Sequence, residues 1–294
     1  MAEYHQLRSL KDLAAPPAFW KEWNQDAEDR ARVSPSADVP LLDHLSYRDF
    51  DQVYEPAEDT YLLLDALLYE FDQGNNQLAA ATHATTSDSD TADQCLCHVL
   101  EIGCGSGVPT AFFQQMWRKR KTTLLYSVVT DINPKALKVT QQTCRCNGGG
   151  AHPQTAMLEA LQCDLGFALV PQLEGKVDVI MFNPPYVVTD DAEVGTPDIS
   201  AAWAGGLGGR RVVDRALPQL ARLLRKPTGV LYLVTVDDNR PWELAQDVAK
   251  LGWRMKPLFR RKAQNEFLTI QKVTAMVCVE NDKATGTTNL AERT

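Results

Sequence analysis

The sequence contains no Cys-x-x-Cys pair, and this absence removes the commonest zinc and dithiol signatures together. Its seven cysteines include Cys95-x-Cys97-His98 and Cys144-x-Cys146, neither spaced for zinc, so they read as reduced thiols of an intracellular protein. No apolar run approaches the roughly 20 residues that a membrane-spanning helix needs. The opening Met1-Ala2-Glu3-Tyr4 lacks the basic flank and apolar core of a secretion signal, and a cytoplasmic location is expected, with the nucleus as a further one. A surplus of basic charge is missing too. Lys and Arg number 30 against 38 Asp and Glu, for a net charge of -8. Binding to nucleic acid draws on phosphate neutralisation, so unaided high-affinity binding is not expected. Arg210, Arg211, Arg222, Arg225, Lys226, Arg260, Arg261 and Lys262 are scattered and read as a solvated face.

A chain of 294 residues that is 44% hydrophobic can bury one sizeable core. Residues 1–45 are polar and broken at Ala15-Pro16-Pro17 and Ser34-Pro35-Ser36. They read as a flexible extension with one short helix over 19–31. A strong helix is expected over 55–71, entered through Pro56, with Leu62, Leu63, Leu67 and Phe71 facing a sheet. Residues 72–94 are rich in Ala, Thr, Ser, Asp and Asn and read as a disordered insertion; 281–294 read as a flexible tail. One domain over 46–280 remains. Within it, apolar runs at 97–102, 124–130, 157–163, 177–182, 229–236, 253–260 and 266–279 alternate with helical stretches, which predicts an α/β fold: a doubly wound, mostly parallel, seven-stranded sheet. Pro218 is expected to start or kink a helix within 212–225.

Asn183-Pro184-Pro185-Tyr186 follows the apolar run Val179-Ile180-Met181-Phe182, which places it at the carboxyl end of a strand, where open α/β sheets bind ligands. The Asn183 side-chain oxygen and the Pro184 carbonyl offer two fixed acceptors, suited to the two N–H groups of a planar NH2. Tyr186 adds a flat face. The tetrapeptide therefore reads as a clamp that orients a planar nitrogen rather than as an acid–base pair. Read alone, it is equally a proline turn.

Glu101-Ile102-Gly103-Cys104-Gly105-Ser106-Gly107 forms a strand, glycine loop and helix sequence in which the glycines permit close backbone approach and positive φ. Its spacing differs from the dinucleotide fingerprint, and the acid before it suits a cationic, phosphate-free ligand such as S-adenosylmethionine. A second strand ends in Asp131, placed to accept ribose hydroxyls. Cys163-Asp164-Leu165 and then the clamp follow in order, and that order is what a set of unrelated turns does not explain.

These residues resemble the class I S-adenosylmethionine-dependent methyltransferases, and within them the eukaryotic branch of the HemK-type glutamine methyltransferases. The resemblance is carried by Tyr54-Glu55-Pro56-Ala57-Glu58-Asp59-Thr60, the 101–107 loop, Thr130-Asp131-Ile132-Asn133-Pro134, the clamp extended through Val187-Val188-Thr189, and Ala201-Ala202-Trp203-Ala204-Gly205-Gly206. It implies a Rossmann-like fold and S-adenosylmethionine as cofactor. Thr60, Glu101, Gly103 and Gly105 would surround the methionine end, Asp131 the ribose, and Asp164 with the Leu165 backbone the adenine. Asn183, Pro184 and Tyr186 would present the nitrogen of a glutamine in the Gly-Gly-Gln loop of a class 1 translation release factor. It also implies a small zinc-binding activator subunit, paired with an edge strand at 156–163 through Met157, Leu158 and Leu161.

The clamp by itself accommodates adenine N6 of nucleic acid as readily as a glutamine amide, and a protein lysine is a further acceptor. A non-catalytic scaffold is the alternative of another class. It gives no reason for Asn183.

Overall fold

The apolar runs assemble into seven strands: β1 Leu96–Ile102, β2 Leu124–Asp131, β3 Ala156–Gln162, β4 Val179–Phe182, β5 Val230–Val236, β6 Trp253–Ala263 and β7 Glu266–Ala275. The computed structural model describes residues 15–73, 96–120, 124–148, 156–195, 199–264 and 266–276. The sheet order is β3-β2-β1-β4-β5-β7-β6. The first five strands are parallel, and β7 joins β5 and β6 in antiparallel pairs. Chain order reverses between β1 and β4, which opens a crevice at their carboxyl ends.

Among the described residues, six helices of ten or more residues accompany the sheet: α1 Ala18–Val33, α2 Glu58–Asp72, α3 Val108–Arg120, α4 Pro134–Cys146, α5 Arg211–Leu223 and α6 Pro241–Lys250. β4 and β5 are buried along their whole length, as parallel strands covered on both faces must be. Alternate side chains feed two core layers. On one face Leu62, Leu63, Phe112, Phe113 and Trp117 pack on Val99, Met181 and Tyr232. On the other, Leu217, Leu220, Leu244 and Val248 pack on Leu100, Ile180, Leu231 and Leu233. No helix among the described residues is long and apolar enough to cross a membrane.

Three expectations are corrected. The first concerns residues 15–45, which are tied down rather than loose. α1 buries Trp20, Ala27 and Ala31 and lies along the edge strand β6, where Arg30 donates to the Leu258 carbonyl and Lys256 sits 4.3 Å from the Trp23 ring centroid. The strap that follows is polar but paired, because Ala37 N donates to buried Asp65 and the Asn147 side chain exchanges two hydrogen bonds with the Leu41 backbone. Composition missed this because the partners lie far away in sequence.

Second, α2 begins at Glu58 behind an extended Ala57, so Pro56 lies outside it. Third, no helix starts at Pro218: α5 begins at Arg211 and carries Pro218 inside it, between buried Leu217 and Leu220. The insertion beyond Gln73 and the tail lie outside the described residues.

β3 is an edge strand. Met157 and Leu161 point outward, 48% and 39% exposed, while the half-buried Leu158 packs against the small core cluster that includes Ala136, Leu137 and Val139 of α4. The expected bare row therefore consists of Met157 and Leu161, without Leu158.

Candidate functional site

The loops after β1, β2, β3 and β4 converge on one pocket with the entry to α2. Thr60, Glu101, Gly103, Gly105, Asp131, Asp164, Leu165, Asn183, Pro184 and Tyr186 all line it. At its floor the glycine loop turns through Gly103 at φ +64°, and a Cβ built there would meet nothing within 4 Å. The backbone is thus bare on its pocket side. Gly105 N donates to Asp131 Oδ2 at 3.1 Å and Asn133 N to Oδ1 at 2.8 Å, so the loop and the acid fix one another. Burial raises the Asp131 pKa, and these backbone donors hold it back.

Glu101 is buried at the end of β1. The Thr110 amide and hydroxyl both donate to its Oε2. Burial outweighs those donors and pushes its carboxyl up to about 8. Next to Leu165, which is held at φ +56°, Asp164 receives both ends of the Arg215 guanidinium at 2.9 Å. A carboxylate has about four lone-pair sites, so two remain for a further donor.

The clamp is organised by a residue the sequence reading did not single out as functional. Asp59 is buried in the first turn of α2, and its Oδ2 accepts from Asn183 Nδ2 at 2.9 Å, Tyr54 Oη at 2.9 Å and Tyr186 Oη at 3.3 Å. Its Oδ1 accepts from Thr60 N at 2.6 Å and from the Thr60 hydroxyl at 3.3 Å. Burial and the adjacent Asp59 raise both tyrosine pKa values, so the two phenols stay protonated donors.

With Nδ2 committed to a carboxylate, the Asn183 amide has one orientation; the flipped one would set oxygen against oxygen. Its Oδ1 is buried without a partner. A buried acceptor left empty costs about 1–3 kcal/mol, which a ligand donor would relieve.

The signal for Asp59 was its register: it lies three and four residues before Leu62 and Leu63, on the apolar face of α2. An acid on that face needs a buried partner. Arg215 carried no such signal, since it lies among outward positions of α5. Trp203 and Val187 form a half-exposed apolar rim beside the clamp, joined where Val187 N donates to the Trp203 carbonyl.

A sheet of this order, with an acid and glycine loop after its first strand, an acid ending the second and Asn-Pro-Pro-Tyr after the fourth, defines a class I methyltransferase. No family model matches the chain. It is similar to the methyltransferase HEMK2 of Mus musculus, with 43% identity over 238 residues, covering 81% of this chain and 97% of that one. It is 32% identical over 244 residues to the eRF1 methyltransferase catalytic subunit mtq2 of Schizosaccharomyces pombe, covering 80% and 94%. A release factor glutamine methyltransferase of Mycolicibacterium smegmatis is 31% identical over 101 residues, a third of each chain. The chain belongs to the family of the HEMK2 and eRF1 methyltransferases.

Proposed function

We propose that this protein transfers a methyl group from S-adenosylmethionine to the side-chain amide nitrogen of a glutamine in a class 1 translation release factor. The observation that carries this reading is the buried, unpartnered Oδ1 of Asn183, fixed by Asp59 at the carboxyl end of β4. It asks for one N–H of a planar NH2, and the adjacent Pro184 carbonyl is the natural acceptor for the other. The names of two relatives, one acting on eRF1 and one on a release factor glutamine, support the same acceptor.

The pocket suits the cofactor because its wall is acidic: Asp59, Glu101, Asp131 and Asp164 face it, and the one guanidinium, Arg215, is tied to Asp164. A cationic ligand without phosphate matches that charge. Glu101, Thr60, the bare backbone at Gly103 and the turn at Gly105 hold the methionine end. Asp131 holds the ribose, and Asp164 with the Leu165 backbone holds the adenine. When bound, the cofactor supplies an electrophilic methyl group on a sulfonium.

An amide nitrogen is a weak nucleophile because its lone pair is delocalised. Asn183 and Pro184 fix its rotation, and Tyr186 bounds the plane it lies in. Charge that develops on nitrogen during transfer is met by the Asn183 dipole, with the Asp59 carboxylate behind it, so the interaction is strongest in the transition state.

An acceptor base in nucleic acid would need a phosphate-binding surface. Six of the eight basic side chains singled out in the sequence are instead spent on acids: Arg210 on Asp214, Glu243 and Asp247, Arg211 on Asp191, Arg222 on Glu174, Arg225 on Asp178, Arg260 on Asp237 and Glu28, and Arg261 on Asp65. A protein acceptor fits this balance better.

A small activator subunit, zinc-binding as in the branch the sequence resembles, is proposed to pair with β3. The exposed Met157 and Leu161 and the words "catalytic subunit" in the name of the fission-yeast relative support this. Met157→Asp is expected to abolish co-purification with the subunit while the soluble fraction keeps its fold by circular dichroism. Unchanged co-purification would refute the β3 assignment. Leu158→Asp is the internal contrast: it places a charge in the half-buried contact with the α4 cluster and should lower the melting temperature of the protein without its partner.

The test of function is label transfer from methyl-labelled cofactor, with the activator co-expressed, to a release factor carrying Gly-Gly-Gln or its Gln→Ala form. Label that requires the glutamine is expected. Label on added DNA but not on the factor would overturn the reading. Asn183→Ala should reduce turnover by about 10²–10³-fold, the usual cost of one preorganised transition-state partner, with cofactor affinity retained.

A further inference from the structure

Asn239 does not line the pocket, yet it is 1% exposed and its side chain is fully engaged with the backbone around the clamp. It sits on the single turn Asp237–Asn239 that follows β5, where its Oδ1 accepts from Val236 N at 2.9 Å. Its Nδ2 faces three carbonyl oxygens: Tyr186 at 3.0 Å, and Gly208 and Gly209 at 3.2 Å each. One carboxamide thus joins the end of the clamp to the glycine-rich loop beside it.

The loop has no slack at this contact. Gly209 adopts φ +66°, and a Cβ there would fall 2.0 Å from the Tyr186 carbonyl oxygen and 2.5 Å from Asn239 Nδ2. Gly205 is tight as well, its virtual Cβ 2.7 Å from Gly209 Cα and 2.8 Å from the Pro185 oxygen. The turn itself is braced from two sides. Arg260 on β6 binds both oxygens of Asp237, at 2.6 and 2.8 Å, and Arg210 bridges the loop to Glu243 and Asp247 on α6.

Tyr186 is therefore held at both ends, by Asp59 at its hydroxyl and by Asn239 at its carbonyl. The geometry points to Asn239 as a positioning residue for methyl transfer: it sets the distance between the clamp and the loop carrying Trp203, and so the width of the slot that admits the acceptor side chain. The role is one of substrate alignment, since its hydrogen bonds run to Val236, Tyr186, Gly208 and Gly209, on the clamp side of the pocket. This inference rests on the glutamine-transfer reading.

The experiment compares full-length wild type, Asn239→Ala and Gly209→Ala, each with its activator subunit, in three measurements: steady-state kinetics on the release factor, cofactor Kd by calorimetry, and amide hydrogen exchange. Both variants should lose about 10²-fold in kcat, the scale of an ångström-sized misplacement, with cofactor Kd within twofold of wild type. Exchange at the Val187 and Gly205 amides, which bond across the slot to Trp203 and Val187, should rise at least tenfold. A general loss of stability would instead weaken cofactor binding in step with kcat, and that result would overturn the inference. So would unchanged exchange at Val187 and Gly205. If wild type fails to methylate the glutamine, the functional reading falls, and the exchange comparison still decides whether Asn239 holds the slot.

Discussion

Asp59→Asn is expected to lower turnover by about 10²–10³-fold while leaving cofactor affinity within a few-fold, although it changes one atom and little volume. The reason is polarity. Asp59 Oδ1 must remain an oxygen, because it receives the Thr60 amide at 2.6 Å. The new NH2 then occupies the Oδ2 place and confronts Asn183 Nδ2, which now lies 2.9 Å from an acceptor. Asn183 relieves the clash by flipping, so that its oxygen accepts from residue 59 and its NH2 faces the pocket. A donor then meets the substrate N–H groups. The same argument predicts a rescue. In the double variant Asp59→Asn/Asn183→Asp, an oxygen of residue 183 accepts from residue 59 and the other is restored to the pocket. Partial recovery of kcat relative to Asp59→Asn alone, read as a double-mutant cycle, is expected. No recovery, or single-variant activity within tenfold of wild type, would refute the orienting role of Asp59.

Asp59 also marks where the sequence stops being legible. The strands, their alternation with helices and the positions of the glycine loop and clamp follow from local pattern, because a strand buried on both faces leaves a continuous apolar run and a turn leaves its glycines and prolines. Every site residue expected from those motifs lines the pocket, since motifs at strand ends are brought together by the sheet itself. What local pattern does not carry is the partner of a polar group. Asp59 and Asn183 are 124 residues apart, Asn239 and Tyr186 53 apart, and Asp65 and Arg261 196 apart. Each pair is fixed by topology, so the sequence shows an unexplained polar residue and not its reason. The polar strap before α2 was misread for the same cause: its hydrogen bonds run to buried Asp65 and Asn147, not to neighbours.

Cofactor affinity should depend steeply on pH through Glu101. Burial raises its carboxyl from an ordinary 4.5 to about 8, with Thr110 as a partial counterweight. In the free protein the native state therefore keeps a proton that the unfolded chain has lost between about pH 4.5 and 8. The Glu101 contribution to stability is accordingly lost as pH rises through that window, by up to about 1.4 kcal/mol per unit, and is flat above it. A cationic ligand reverses the preference, because it favours the carboxylate. Binding below pH 8 then releases a proton, and Kd tightens by up to about tenfold per pH unit as the release becomes unnecessary. Glu101→Gln should remove both dependences, stabilising the free protein near neutral pH and binding the cofactor weakly with a shallow pH profile. Calorimetry from pH 6 to 8 in buffers of different ionisation enthalpy measures the released proton directly. Titration of the cofactor's own amine is common to both proteins and cancels in the comparison. Parallel pH profiles for wild type and Glu101→Gln, with no difference in proton release, would place the cofactor's positive charge elsewhere than at Glu101.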